Sequence, residues 1–443
     1  MVLGKDESPG LKSQPGEKSP PSLKILVAAG GTGGHIMPAV SVCEAVKKIR
    51  PETGFLFVGT NRQAEKDILD PLGYERRTLD APPLAGLSPF QAVKRLWRLF
   101  KSEIRAISLV REFKPDLCLT FGGYVCGPIG LAAKLMQVPL VIHEQNSSPG
   151  LTNKALALMA DLTMVGFPEA EAAFKGRNVR FVGNPVREAI ASLAGRERKA
   201  LEEEPLILVL GGSQGSKKIN EAVMIMAKEL IERKVKFRLI HQTGQDMAEE
   251  VERRYADLGQ NFEVRPFIRD MERVYSMADL AVTRAGALTL AELGAASLPA
   301  VLIPLPTSAG DHQTHNALSR EAAGAAKTVL EKDCPGELVR AVESLLGSPE
   351  TLRFMGEKAG KLAEGGEHVA ADMARLALAL LEEKGLRPPS ENLETESSPG
   401  SDGSPRSDRS PRSDGSPRTD GSPGPDGAGG NRDAGEEEGV ERS

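Results

Sequence analysis

The sequence predicts an α/β protein with two Rossmann-like domains that face each other across a cleft. Short apolar segments alternate with helix-like segments, which is the βαβ pattern of a parallel, doubly wound sheet. This pattern starts twice, at 24–29 and at 206–210, and each time an apolar strand leads into glycines and then into a helix. A chain of 443 residues also exceeds the usual size of one hydrophobic core, so at least two domains are expected.

The elements follow from the apolar segments in chain order. The first series begins with a buried strand at Lys24–Ala29, a helix at Ala39–Ile49 and a strand at Phe55–Val58. Further strands are predicted at Asp116–Thr120, Leu140–His143 and Leu162–Val165. The second series has a helix at Ile219–Glu232. Its strands are predicted at Leu206–Leu210, Phe237–Gln242, Phe262–Val264, Leu280–Thr283 and Ala300–Pro304. Because ligands bind beyond the carboxyl ends of such strands, two facing domains would share one cleft.

Composition divides the chain into five regions. A polar, proline-containing linker at 184–204 separates a domain at 23–183 from a second domain at 205–386, whose final helices could return to the first. Residues 1–22 and the Ser/Pro/Gly/Asp-rich residues 387–443 contain too few apolar side chains to fold, so both are expected to be disordered. The tail holds 13 acidic and 7 basic residues, which accounts for the net charge of −5. The body is therefore close to neutral, and an anionic substrate is not excluded.

Several classes of protein are disfavoured. No apolar run is long enough to span a bilayer, and residues 1–22 lack the apolar segment of a secretory signal. The cysteines form no C-x-x-C pair and no zinc-binding spacing, so reduced thiols in a cytoplasmic protein are expected. They are Cys43, Cys118, Cys126 and Cys334. Nucleic acid is not an expected partner, because the body is nearly neutral and aromatic residues make up only 4% of the chain.

Two glycine-rich loops are candidates for binding a diphosphate or a sugar. Gly30–His35 and Gly211–Ser216 each follow a strand and precede a helix, where backbone N–H groups and the helix dipole favour an anion. The first loop is not a P-loop, and Ile36 stands where a dinucleotide motif has its third glycine, so a kinase and a dehydrogenase are disfavoured. Ser213 adds a hydroxyl donor to the second loop. The alternative is that each loop is only a tight turn.

Two polar segments follow later strands. In the segment 284–292 a turn of small residues opens a helix, and Glu292 could either accept hydrogen bonds from a ribose diol or complement the helix dipole. In the segment 143–146, His143 is either a cleft residue or a hydrogen-bonded core histidine. Both interpretations stay open at this point.

The segment 311–316 is rich in polar side chains that suit sugar hydroxyls. Its two histidines, His312 and His315, lack the spacing and the carboxylate of a zinc motif. The body also contains no Asp-x-Asp pair that could hold a metal-bound diphosphate. No metal and no cofactor are therefore expected.

The stretch 84–111 combines apolar residues at helical spacing, including the only tryptophan, Trp97, with several basic residues. Such a basic amphipathic helix suits an anionic membrane surface. The alternative is an ordinary packed helix with a solvated basic face.

Seven segments along residues 24–380 then carry a resemblance. They read GGTGGHIMPA (30–39), GGYVCGPIGLAA (122–133), HEQNSSPGLTNK (143–154), GNPVR (183–187), GGSQGS..IN (211–220), RAGALTLAEL (284–293) and DHQTHNA (311–317). Together they resemble the MurG family, whose members transfer N-acetylglucosamine from its UDP derivative to a lipid-linked muramyl-pentapeptide in peptidoglycan synthesis. The resemblance implies a two-domain GT-B glycosyltransferase without a required metal. It also implies a peripheral position on the cytoplasmic face of the cell membrane, with the first domain facing the acceptor.

The resemblance implies roles for individual residues. The implied UDP-N-acetylglucosamine site consists of Thr32, Gly33, Gly34, Asn146, Arg187, Ser213, Ile268, Ala287, Leu288, Thr289, Leu290, Ala291, Glu292 and Gln313. Ser213 would hold the diphosphate, the backbone of Ile268 would contact uracil, and Glu292 would bind the ribose hydroxyls. Ser216 stands where the family usually has alanine, and Ala285 where it usually has serine.

The expected reaction is an inverting displacement in which the C4 hydroxyl of the muramyl residue attacks C1 of N-acetylglucosamine and UDP leaves. His35 is the candidate general base, because it ends the first glycine loop on the acceptor side. A purely structural role for His35 is the alternative. Competing functions are another UDP-sugar enzyme of this fold (a glycolipid transferase or an epimerase), a nicotinamide-dependent oxidoreductase and a non-catalytic scaffold.

Overall fold

The computed structural model describes residues 23–31, 33–81, 89–174, 178–195, 203–212, 215–260, 262–362 and 368–386. The first domain is built on a sheet of seven strands, all paired in parallel, in the order β3-β2-β1-β4-β5-β6-β7. These strands are β1 Leu23–Ala28, β2 Thr53–Gly59, β3 Glu75–Thr78, β4 Leu117–Thr120, β5 Leu140–Glu144, β6 Leu162–Val165 and β7 Val179–Phe181.

The second domain repeats this arrangement. Its six parallel strands lie in the order β10-β9-β8-β11-β12-β13. If the strands of each domain are numbered from its own first strand, both sheets contain the order 3-2-1-4-5-6. They are β8 Leu206–Leu210, β9 Arg238–Gln242, β10 Glu263–Arg265, β11 Leu280–Thr283, β12 Ala300–Leu302 and β13 Ala326–Thr328. The predicted fold class of two Rossmann-like domains is confirmed. The short strands β3, β7 and β13 were not predicted.

Helices connect the strands and cover both sheets. In the first part of the chain they are α1 Gly33–Ile49, α2 Gln63–Leu69, α3 Pro89–Phe113, α4 Cys126–Leu135, α5 Leu151–Ala157 and α6 Glu188–Ala191. The later helices are α7 Lys217–Glu232, α8 Ala248–Asp257, α9 Met271–Met277, α10 Ala287–Ala295, α11 His312–Ala322, α12 Gly336–Leu346, α13 Pro349–Lys361 and α14 Val369–Glu383. Short 3₁₀ segments lie at Pro168–Phe174, Gln245–Met247, Ala309–Asp311 and Glu331–Asp333. None of the helices in the described residues is both long and apolar enough to cross a bilayer.

Each sheet is buried on both faces, which explains why its strands are apolar throughout rather than alternating. In β1, Ile25 and Val27 pack with α1 and α14 on one face, whereas Leu26 and Ala28 pack with α3 and α4 on the other. The strands of the second sheet divide in the same way between two apolar clusters.

The last two helices belong to different domains. Helix α13 packs on α10 of the second domain, whereas α14 packs on α1 of the first. Buried Met373 and Ala377 of α14 join the first domain's core, and Lys384 forms an ion pair with Asp161 at 2.9 Å. Both sheets lie within one compact unit. The domain bounds stay a prediction, and the predicted disordered regions 1–22 and 387–443 lie outside the described residues.

Each domain also buries one histidine in its core. His143 on β5 lies 3.1 Å from the carbonyl oxygen of Gly183, and His241 on β9 lies 3.1 Å from Asn220 Oδ1 and 2.7 Å from the hydroxyl of Tyr255. Burial lowers the pKa of His143 to about 4 and that of His241 to about 3. Both imidazoles are therefore neutral at pH 7.

These histidines predict a loss of stability on acidification. Since their native pKa values lie below the unfolded value of about 6.5, the unfolded chain binds more protons as soon as the pH falls below 6.5. Between pH 6.5 and pH 5 each histidine should lower the free energy of unfolding by about 2 kcal/mol. Urea unfolding across this range measures the slope. The variant His241→Gln should show a shallower slope, whereas the exposed His315→Gln should keep the wild-type slope. If the free energy of unfolding of His241→Gln fell with pH as steeply as that of the wild type, His241 would not be a source of the acid sensitivity.

Candidate functional site

The site lies where the strand order of each sheet reverses. In the first domain this point is between β1 and β4, which are followed by Gly30–Gly34 and by Gly122–Gly123. In the second domain it is between β8 and β11, which are followed by Gly211–Ser216 and by the turn 284–286. Ligands of doubly wound sheets bind at such points.

The two glycine loops of the first domain touch through their backbones. The N–H of Gly30 donates to the carbonyl oxygen of Gly122 at 3.3 Å. Gly122 and Gly123 have φ values of +105° and +91°, and a Cβ on Gly123 would overlap the carbonyl oxygen of Gly30. Only glycine fits a position that combines this conformation with this close approach.

His35 lies on the first turn of α1, beside this contact. Its Nδ1 is 2.9 Å from the carbonyl oxygen of Gly30, so Nδ1–H donates and Nε2 carries the lone pair in the neutral ring. Burial lowers the pKa of His35; the Gly30 carbonyl and Glu144 oppose this shift, and His312 of the second domain adds to it. His35 is therefore a neutral imidazole at pH 7, with Nε2 able to accept a proton.

A buried carboxylate that the sequence analysis missed fixes the position of the first loop. Glu65 on α2 accepts hydrogen bonds at Oε1 from the N–H of Gly31 and from the N–H and hydroxyl of Thr60, at 2.6–2.9 Å. Nothing in the pattern around Glu65 marks it as buried. Gly33 and Gly34 form the start of α1, and the predicted site residue Thr32 lies outside the described residues.

The segment 143–146 contains a core histidine, His143, and a carboxylate, Glu144, whose hydrogen bonds hold the following loop. His143 accepts at Nδ1 from the Gln145 side chain, which also bonds the carbonyl oxygen of Phe121, so His143 is a hydrogen-bonded core histidine. The buried carboxylate of Glu144 accepts from the N–H and side chain of Asn146, the N–H of Gly150 and the side chain of Asn153, at 2.9–3.1 Å. These four bonds determine the conformation of the loop that carries Asn146.

Asn316 on α11 joins this loop to the second domain. Its Oδ1 accepts from the N–H and hydroxyl of Ser147, at 3.0 and 2.8 Å. Its Nδ2 donates to Asn146 Oδ1 at 3.3 Å and to the carbonyl oxygen of Ala285 at 3.1 Å. The predicted site residue Asn146 therefore lies next to the turn that begins α10.

The glycine loop of the second domain is held by side chains. Ser216 caps α7 by accepting from the N–H of Ile219, and its hydroxyl also accepts from Arg284 at 2.8 Å. Gln242 donates to the carbonyl oxygen of Gly212 and accepts from the N–H of Ile268, both at 2.9 Å. Ile268, the predicted uracil contact, is thus tied to this loop. The predicted Ser213 lies outside the described residues.

Helix α10 offers an open N-terminus. Its cap residue is Gly286, no side chain caps the first turn, and that turn contains no acidic residue. The N–H groups of Ala287, Leu288 and Thr289 have no partner within the helix, because the first intrahelical bond runs from Leu290 to Gly286. The predicted site residue Ala291 follows on the next turn. This end of α10 is suited to an anion.

Glu292 and Arg187, predicted from separate segments, are brought together. Glu292 Oε2 accepts from the hydroxyl of Tyr275 at 2.9 Å, and Oε1 lies 3.7 Å from Arg187 Nη2. Burial raises the pKa of Glu292, while Arg187 and Tyr275 oppose the rise. The carboxylate thus lies on the second turn of α10 with a donor beside each oxygen, and Tyr275 was not predicted.

Gln313 lies at the start of α11. Its Oε1 accepts from the N–H of Leu305 at 3.0 Å, and its backbone N–H donates to Ser308 Oγ at 3.3 Å. The side-chain NH₂ is therefore the group through which Gln313 could donate to a sugar. In the described part of the chain no group of three His, Cys, Asp or Glu side chains is placed to hold a metal ion.

The basic and aromatic stretch forms α3. Trp97, Phe100 and Ile104 are exposed by 57%, 55% and 53%, and the rings of Trp97 and Phe100 stack at 5.7 Å. Lys101 lies over the Trp97 ring, and Arg98 forms an ion pair with Asp80 at 2.7 Å. Residues 84–88 and the side chains as far as Leu96 lie outside the described part. The described surface is apolar, aromatic and flanked by cations.

Comparison with known proteins agrees with this geometry. Residues 25–165 match the glycosyltransferase family 28 N-terminal domain, and residues 206–372 match the family 28 C-terminal domain. A UDP-N-acetylglucosamine–N-acetylmuramyl-(pentapeptide) pyrophosphoryl-undecaprenol N-acetylglucosamine transferase from Carboxydothermus hydrogenoformans is 38% identical over 347 residues, which cover 77% of this chain and 93% of the relative. The enzyme of the same name from Listeria welshimeri is 35% identical over 366 residues, covering 81% and 100%.

Solved structures give the same result. Acinetobacter baumannii MurG superimposes with a TM-score of 0.65 at 31% identity, covering 80% of this chain and 99% of that one. A UDP-N-acetylglucosamine 2-epimerase has a TM-score of 0.57 at 15% identity, with 82% and 97% covered, and shows the shared fold alone. The chain therefore belongs to glycosyltransferase family 28 and, within it, to the MurG family.

Proposed function

We propose that this protein transfers N-acetylglucosamine from UDP-N-acetylglucosamine to the C4 hydroxyl of undecaprenyl-pyrophosphoryl-N-acetylmuramyl-pentapeptide, which yields the disaccharide lipid of peptidoglycan synthesis. The names of the relatives support this reaction over an epimerase or another glycolipid transferase. The observation that carries the proposal is one site made from both domains. Asn316 connects Asn146 of the first domain to the turn that opens α10 in the second domain, and Glu292 lies further along that helix.

The donor binds along the second domain in this proposal. The first-turn amides of α10, at Ala287, Leu288 and Thr289, face the diphosphate, and the later residues Leu290 and Ala291 line the nucleotide. Glu292 binds the ribose diol, and the backbone of Ile268 contacts uracil. Thr32 keeps its predicted role as a contact of the donor, and Ser213 keeps its predicted role at the diphosphate.

The sugar itself lies between the domains. Asn146 and Gln313 donate to it, Gly33 and Gly34 approach it through their backbones, and Arg187 contacts the donor beside Glu292. The N-terminus of α7 and Ser213 stabilise the charge that develops on UDP as it leaves, and the uncapped first turn of α10 adds to them, because the cap of Ser216 occupies only the Ile219 amide of α7.

Acceptor attack needs a group that takes the proton of the C4 hydroxyl. His35 is suited to this role, since the Gly30 carbonyl fixes the proton on Nδ1 and burial keeps the ring neutral. The oxygen attacks C1 of the sugar from the face opposite UDP, and the configuration inverts.

The decisive test is product analysis with both substrates in EDTA. We expect the reaction to proceed in EDTA, because backbone amides take the place of a metal at the diphosphate. Each transfer should yield one disaccharide lipid and one UDP. Incubation with UDP-N-acetylglucosamine alone is the control. Conversion of UDP-N-acetylglucosamine to its epimer in the absence of the lipid substrate would favour the epimerase. Transfer activity that requires a divalent cation would contradict the metal-free proposal.

The role of His35 is tested with His35→Ala and His35→Gln. If His35 is the base, turnover at saturating substrates should fall by about 10² to 10⁴, with the acidic limb of the pH–rate profile lost. A loss below about tenfold would remove His35 as the base and leave it a structural role.

Attachment to the cytoplasmic face of the membrane is proposed through α3. Phe100→Ala should weaken sedimentation with vesicles of anionic lipid, because the exposed ring and its cationic neighbours are suited to such a surface. Phe354→Ala is the matched control, since Phe354 on α13 is equally exposed, at 54% against 55%. Equal binding by the two variants would contradict a role for α3.

A further inference from the structure

One face of α11 forms contacts with the first domain. Asn316, Ser319 and Arg320 follow the spacing of neighbouring residues on a helix face. Ser319 donates to Glu169 Oε1 at 2.8 Å in an exposed bond, and the Arg320 guanidinium lies 4.8 Å from the centre of the Phe167 ring. Asn316 differs from Ser319 because it has no exposed surface.

The Asn316 side chain uses its full hydrogen-bonding capacity. A carboxamide has two acceptor positions and two donor hydrogens, and here the acceptors serve Ser147 while the donors serve Asn146 and Ala285. Three of the four bonds cross to the first domain. A buried amide with every position occupied has one orientation, because rotating it by half a turn would break all four bonds.

This arrangement also determines the orientation of Asn146. The Asn146 NH₂ group donates to Glu144 Oε1 at 3.1 Å, within the first domain, and its Oδ1 accepts from Asn316, in the second domain. The first bond alone leaves the oxygen without a partner. Asn146 is therefore held at both ends of its amide only when the two domains are together.

We propose that Asn316 is a positioning residue that orients Asn146 toward the donor sugar and couples closure of the cleft to binding of that sugar. The proposal rests on the proposed function, because it takes Asn146 as a sugar-binding residue. The uridine diphosphate part of the donor needs only the second domain. Loss of Asn316 should therefore reduce the part of the donor-binding affinity that comes from the sugar and leave the part that comes from the nucleotide unchanged.

Calorimetric titration of the full chain with UDP and with UDP-N-acetylglucosamine separates these two contributions. In Asn316→Ala we expect the Kd for UDP to stay within about twofold, while the Kd for UDP-N-acetylglucosamine rises about tenfold, as for one lost hydrogen bond. Asn316→Asp should behave similarly, since a carboxylate keeps the acceptors for Ser147 and loses both donors. Ser319→Ala is the matched control, because it breaks an exposed interdomain bond on the same helix, and it should change neither affinity.

A double-mutant cycle tests whether Asn316 acts through Asn146. In the background of Asn146→Ala, the change Asn316→Ala should add less than about a twofold loss in affinity for UDP-N-acetylglucosamine. Equal weakening of UDP and UDP-N-acetylglucosamine by Asn316→Ala would indicate a general defect and overturn the proposal. A tenfold effect that persists without Asn146 would do the same. Failure of the proposed function would show in the wild type, as absence of the disaccharide product, whatever the variants bind.

Discussion

The backbone contact between Gly30 and the Gly122–Gly123 pair is the constraint on which the first domain's part of the site depends. Strands β1 and β4 are neighbours, so the loops that leave them run side by side, and a side chain on Gly123 would force them apart. The contact also presents the Gly30 carbonyl to His35 Nδ1. The tautomer of the candidate base, with its proton on Nδ1, is therefore decided by the path of the main chain.

The second domain solves the same geometric problem with polar side chains. Gln242, Arg284 and Ser216 connect the ends of neighbouring strands, and these bonds add to a close backbone approach of Gly215 to the carbonyl oxygen of Thr243. Ser216 stands where the family usually has alanine, and its hydroxyl accepts two hydrogen bonds there. One comes from the N–H of Ile219 and caps α7, and the other comes from the Arg284 guanidinium. No side chain caps the first turn of α10, so its N-terminal amides are available to an anion, whereas the first domain carries a neutral imidazole at His35.

The sequence predicted the structure best where the role of a residue depends on its immediate neighbours in the chain. Apolar strands followed by glycines located both sheets, whereas β3, with the sequence Glu75-Arg76-Arg77-Thr78, has no apolar pattern and is a strand only because β2 offers it an edge. Glu65 and Tyr275 escaped notice because burial of a single polar side chain depends on segments distant in the chain. Asn316 lay inside a recognised motif, yet its partners Ser147 and Ala285 are 169 and 31 residues away. The pairing of Glu292 with Arg187 likewise needed the folded chain.

The return of α14 to the first domain has a mechanical consequence. The polypeptide passes between the domains once before β8 and again between α13 and α14, so two covalent tethers span the junction. Two bodies joined at a pair of points turn most easily about the line through those points. The connectivity therefore favours a hinge rotation over other relative movements of the two domains.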